Sequence, residues 1–113
     1  MEGVLKAYRD NVLKFKFHGP SAMAPLIKFV NKLSSFEENS EDHQHYVILL
    51  IFTNGLLQDY QSTVDEIIAA NNAPLSIIFV GIGDNDFTTL ENLDADKKEL
   101  ISSDRVRSKR DIV

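Results

Sequence analysis

The sequence contains no cysteine. That excludes a disulfide framework, a thiolate zinc site and a cysteine nucleophile, and it fits a reducing compartment. Positive charge is also in short supply: 12 Lys and Arg stand against 17 Asp and Glu, a net charge of −5. A general binder of nucleic acid or of anionic membranes would be basic, so no nucleic-acid partner is expected. No N-terminal stretch has the basic-then-apolar form of a signal peptide, and the longest apolar run is far too short to span a bilayer. There is no Asn-x-Ser/Thr triplet, no internal repeat and no low-complexity segment. At 113 residues the expectation is a single cytoplasmic domain, or part of one, over residues 1–113.

Against these absences stands one strong positive signal, YVILLIFTNG at residues 46–55. This apolar, largely β-branched or aromatic run stops abruptly at Thr53-Asn54-Gly55. Such runs mark strands buried on both faces, as in a parallel sheet covered by helices on both sides. A second run, LSIIFVGIG from Leu75 to Gly83, repeats the pattern, with a helical stretch between. The unit is βαβ, and the expected class is α/β: a partial doubly wound, mainly parallel sheet flanked by helices. Open sheets of this kind place ligands at the carboxyl ends of their strands.

Helices are also expected elsewhere. Val4, Tyr8 and Val12 recur at four-residue spacing. Met23, Leu26, Ile27, Val30 and Leu33 form a helical stripe, with Ser21 a candidate cap and Pro25 near its start. The helix between the strands is expected over residues 62–70, opened by a capping box headed by Ser62 or Thr63, with Thr63 and Glu66 the better-matched pair, and closed by Asn71-Asn72-Ala73-Pro74, whose amides tolerate left-handed geometry. Phe87, Leu90 and Leu93 suggest a short helix. LKFKFHGP alternates briefly before a Gly-Pro break, and residues 37–45 form a polar, solvated loop.

Several constellations invite chemistry. Gly81-Ile82-Gly83 follows a strand, but the dinucleotide fingerprint needs a third glycine where Asp86 stands, and Asp84 and Asp86 would repel a pyrophosphate; a tight turn explains the glycines. Asp84, Asp86, Asp94 and Asp96 are out of register for an EF-hand. His43 and His45 lack an evident third ligand, and His18 lacks a partner acid or nucleophile. The basic cluster Arg105, Arg107, Lys109 and Arg110 is expected to be a solvated face. With no nucleophile–base pair, an enzyme fragment is disfavoured. Ser21 and Asn54 both fall where they converge at the carboxyl edge of the sheet. Their oxygens are hard donors suited to magnesium or calcium, yet both are neutral, and a cap and an Asn-Gly turn explain them without a metal.

The ordered motifs GVLKAYRDNV, HGPSAMAPLI, YVILLIFTNGLLQD, PLSIIFVGIGDNDF and RDIV resemble the copine domain, a relative of the von Willebrand factor A and integrin inserted domains. The resemblance covers nearly the whole chain. It implies a von Willebrand factor A-like, Rossmann-like fold lacking its N-terminal strands here. It also implies a non-enzymatic platform for protein partners within a calcium-dependent phospholipid-binding adaptor. Phospholipid contact and calcium recruitment to membranes belong to separate modules of such a parent. The runner-up is the copine-like domain of a ring-type ubiquitin ligase or other scaffold. The family's metal-ion-dependent adhesion site uses three loops. Ser21 matches the second-loop threonine, and Asn54 matches the third-loop aspartate of a Thr-Asp-Gly turn. The Asp-x-Ser-x-Ser loop is absent, so the site is incomplete and no cofactor is expected in this chain, whereas magnesium or calcium fits a full-length family domain. Asp59 matches a frequent family acid with no assigned role. Without the family's opening strand, one edge of residues 46–53 is left bare, and the chain is expected to self-associate, most simply as a homodimer through that strand, or else to aggregate.

Overall fold

The computed structural model describes residues 1–16, 19, 21–35, 40, 42–95 and 98–113. In chain order the elements are α1 (Glu2–Val12), α2 (Ala24–Ser34), β1 (Val47–Thr53), α3 (Tyr60–Ala69), a 3-10 turn (Ala70–Asn72), β2 (Leu75–Gly81) and α4 (Thr88–Glu91). The two apolar runs do form parallel neighbours, in register from Val47↔Leu75 to Thr53↔Gly81. The mixed α/β class and the βαβ unit are therefore present, as a two-stranded parallel sheet.

Backbone bonding tells which side of each strand faces its neighbour. Val47 N–H donates to Pro74 C=O, and Ile82 N–H donates to Thr53 C=O. Hence the odd residues of β1 bond inward to β2, and the even residues of β2 bond to β1. The N–H and C=O groups of Ile48, Leu50 and Phe52 then point to the outer edge of β1. The odd residues of β2 point the opposite way, and Ile77 N–H donates to Ile112 C=O at 2.6 Å.

The core lies on one face of the sheet. Ile51, Leu75 and Ile77 pack with Met23, with Ile27 and Val30 of α2 and with Val64 and Ile67 of α3. The other face differs from the expectation of a strand covered on both sides. Ile48, Leu50 and Phe52 are 64%, 48% and 62% exposed, and Ile78 is 46% exposed. Side chains alternate along a strand, so an apolar run states that both faces need cover. Among the described residues only the α2–α3 face receives it. Helix α1 forms as expected, yet none of its residues is buried, and Val4 and Tyr8 stay 73% and 66% exposed. Residues 13–16 of LKFKF form no strand against β1; Phe17, His18 and Pro20 lie outside the described residues, as do residues 36–39, Glu41, Asp96 and Lys97.

Local boundaries also shift. Helix α3 starts at Tyr60, two residues before Ser62, with Asp59 as its N-cap. The capping box at Thr63 is not formed; the Thr63 hydroxyl donates to Asp59 Oδ1 instead. Ser21 does not cap α2, whose N-cap is Met23. Nor do Asn71 and Asn72 turn left-handed: among the described non-glycine residues only Arg105 has positive φ. Asn71 is buried and tethers the chain end, its Nδ2 donating to Ile67 C=O and its Oδ1 accepting the N–H groups of Lys109 and Arg110.

Candidate functional site

The carboxyl ends of β1 and β2 meet three loops. Thr53 Oγ1 accepts the N–H of Gly55, and Asn54 Oδ1 accepts the N–H of Leu56, which closes the tight turn read from Asn-Gly. Gly55 takes φ 91°, open to glycine without strain. Ser21 enters through its backbone: its N–H donates to Leu56 C=O, and its C=O accepts Gln58 N–H. Both Ser21 and Asn54 thus bond to the main chain of Leu56, so the two predicted positions do share one loop junction, and both are exposed.

Asp59 stands behind this junction and is the residue whose role sequence reasoning left open. Its Oδ1 accepts the N–H of Met23 and its Oδ2 that of Ala24, each at 2.9 Å. A carboxylate from the β1–α3 loop therefore satisfies the first donors of α2 across 35 and 36 residues. Pro25, at the first turn, has no N–H to satisfy.

The third loop carries Phe87. Its ring lies over both glycines: a Cβ on Gly81 would fall 2.6 Å from the ring, and one on Gly55 would fall 2.9 Å from it. Glycine at Gly81 serves close packing of an aromatic ring. Asp86 Oδ1 accepts the N–H and the hydroxyl of Thr88, the hydroxyl contributing most to holding its carboxyl below the ordinary range. A phosphate on α4 would have to displace that carboxylate, which agrees with reading Gly-x-Gly as a turn.

The candidate donors are already engaged or neutral. Asn54 spends its carbonyl oxygen on a turn, Asp59 spends both oxygens on α2, and Ser21 is neutral. No group of three His, Cys, Asp or Glu able to hold a metal occurs among the described residues. His43 and His45 lie on an exposed stretch.

A family model described as Copine matches residues 1–113, the whole chain. The chain belongs to the copine family. It is 42% identical over 113 residues to Copine-A of Dictyostelium discoideum, covering 100% of this chain and 18% of that protein. It is 37% identical over 115 residues to Protein BONZAI 2 of Arabidopsis thaliana, covering 100% and 19%. Nicotinic receptor-associated protein 1 of Caenorhabditis elegans is 38% identical over 111 residues, covering 98% and 17%. The chain thus spans about a fifth of the length of these curated relatives.

In this copine segment the basic cluster is not one patch. The Arg110 guanidinium donates to Ala73 C=O and Leu75 C=O, and Arg107 pairs with Glu99 at 2.9 Å. Asp65 anchors the loop that carries the cluster, accepting the N–H and the hydroxyl of Ser103 at 2.8 and 2.7 Å. The Ser103 N–H, then its hydroxyl, hold the Asp65 carboxyl below its ordinary value of 3.8. A depressed folded pKa stabilises above the unfolded value, and that stabilisation is lost as pH falls through the folded value. Thermal melting from about pH 6 down to about pH 2.5 should therefore show Asp65→Asn losing less than the parent chain in the acid range. Parallel curves for the two proteins would remove Asp65 from the acid response.

Proposed function

We propose that these residues are a non-enzymatic protein-docking segment of a longer copine. The parent is a calcium-responsive, phospholipid-binding adaptor recruited from the cytoplasm to membranes. The supporting observation is the family match across all 113 residues. It is joined by a strand-end loop cluster whose polar groups are spent on holding loops and helices together. Nicotinic receptor-associated protein 1 is, by its name, associated with a receptor; docking onto another protein is the property carried over here.

Lipid binding is assigned to parts of the parent outside these residues. The purified chain, with its net charge of −5, should stay in the supernatant when mixed with phosphatidylserine vesicles and calcium. Calcium-dependent pelleting would overturn that assignment, and Arg105 and Lys109 would be the first residues to replace.

Ser21 and Asn54 keep the positions matched to the family's metal site, as neutral donors of low affinity. Titration calorimetry with magnesium and with calcium should find no micromolar site, that is, no binding near about −8 kcal/mol. Asn54→Asp should strengthen the binding of either ion by restoring a carboxylate. A tight site in the parent chain would mean that other oxygens complete the ligand set.

A further inference from the structure

Residues 100–108 fold back on themselves as a small hairpin tied to α3. Ile101 and Arg107 form an antiparallel bridge, Ser102 N–H donates to Val106 C=O, and Ser108 N–H donates to Leu100 C=O. Three serines stand in this hairpin, and two of their hydroxyls are engaged. Ser102 Oγ accepts Val106 N–H, and Ser103 Oγ donates to Asp65 Oδ2. Ser108 is partly exposed, and its hydroxyl has no hydrogen-bond partner among the described residues. The basic residues around it do different things. Arg110 is spent on the carbonyls of Ala73 and Leu75, and Arg107 pairs with Glu99 in the open. Arg105 is exposed, and its guanidinium has no partner among the described residues. It also takes φ 62°, the left-handed region that glycine or asparagine adopts at less cost. The turn therefore does not explain an arginine at its tip. Arg105 stands three positions before Ser108, with Arg107 between them and no acid from 105 to 110. At the same offset, Ser102 has Glu99 and Ser103 has Leu100.

We propose that Ser108 is a phosphorylation site for an arginine-directed serine kinase, with Arg105 as the residue such a kinase recognises. Kinases of this class take the acceptor segment extended and hold a basic side chain three residues ahead of it with carboxylates. A guanidinium suits that pairing because its fork is bidentate. Among the serines of the hairpin, a free hydroxyl and a free guanidinium at that offset coincide at Ser108. The arm that carries it is held by main-chain bonds to Leu100 and Ser102 at the surface, the kind that open locally at low cost. The Arg107–Glu99 pair is exposed and is given up as readily. In the transfer, Ser108 Oγ attacks the γ-phosphorus of ATP and the bond from that phosphorus to the bridging oxygen breaks. ADP leaves, and the hydroxyl proton passes to the catalytic aspartate of the kinase. The added phosphate carries about −1.5 to −2 charges and cancels about half of the four positive charges in residues 105–110.

The test uses the full 113-residue chain, magnesium ATP and the catalytic subunit of the cyclic-AMP-dependent protein kinase. One phosphoryl group per chain should be incorporated, located on Ser108 by fragment mass spectrometry, and Ser108→Ala should take up none. Arg105→Asn tolerates the left-handed turn while removing the cation, and should lower kcat/KM about tenfold. Arg105→Gly relieves the same backbone and should lose the same factor, so that misfolding cannot imitate the result. Arg105→Lys keeps the charge without the fork and should fall between. No incorporation, incorporation on Ser102, Ser103 or another residue in place of Ser108, or an unchanged kcat/KM in Arg105→Asn or Arg105→Gly would overturn the proposal.

Discussion

On size exclusion with light scattering, the purified chain is expected to run at twice its mass of 12.8 kDa, and Leu50→Pro is expected to return it to one. The cause is the outer edge of β1. Ile48, Leu50 and Phe52 present their main-chain groups to that edge, and their side chains are 64%, 48% and 62% exposed beside it. No described residue pairs with this edge, and an unpaired, uncharged, apolar edge is a template for another strand. The simplest closed arrangement pairs β1 with its own two-fold copy, antiparallel. The hydrogen-bond pattern settles where to place the proline. Leu50 N–H faces away from β2, so its loss costs no bond within the sheet, whereas proline at Leu49 would break the ladder to β2. A charge such as Leu50→Lys is less decisive because it also changes the apolar face. A parent chain that stays monomeric at high concentration would show that this edge is covered, and a dimer that survives Leu50→Pro would place the contact elsewhere.

The second large effect concerns Asp59. Asp59→Ala should destabilise the domain by about 3 kcal/mol, read from urea unfolding followed by circular dichroism. Two backbone donors of α2 lose a charged acceptor, and the buried Thr63 hydroxyl loses its partner. A domain of this size has about 5–10 kcal/mol to lose, so a large part of its stability depends on one carboxylate. Asp59→Asn keeps one acceptor oxygen and should cost about half as much. A loss under about 1 kcal/mol for the alanine variant would show that water replaces the carboxylate at α2. Because Asp59 sits between the α2 and α3 termini, its replacement should also loosen the Ser21–Leu57 bridge.

The strands were legible because nothing but a strand accounts for VILLIFT and LSIIFVG, and the polar stretch between them has room for one helix. Their parallel pairing follows from that helix. The faces were less so. An apolar run shows what a strand requires, whereas Ile48, Leu50 and Phe52 show what these residues supply. The start of α3 was misplaced by two residues because hydroxyls and a glutamate at the right spacing suggested a local cap. The residue that acts is Asp59, and it acts on α2 as well, through contacts 35 and 36 positions apart that leave no local pattern. Ser21 was misjudged as a cap for a related reason: its contribution is its backbone. Asn71 appeared only as a helix terminator, yet its amide joins the end of α3 to residues 109 and 110. At the candidate site, Asn54 and the glycines were readable as turns, and Phe87 was readable as helix core. That Phe87 also closes over Gly55 and Gly81 was not, since ring-on-glycine packing has no sequence period.

Every rung between β1 and β2 joins residues 28 positions apart, from Val47↔Leu75 to Thr53↔Gly81. On the ribosome that spacing becomes a delay. At about 5–20 residues per second, strand β1 waits about one to six seconds after its own synthesis before its matching rung in β2 has been made. Through that interval the inward-facing main-chain groups of β1 lack their partners in β2, and Ile51 lacks Val64 and Ile67 of α3, which makes nascent β1 a segment suited to engage a chaperone.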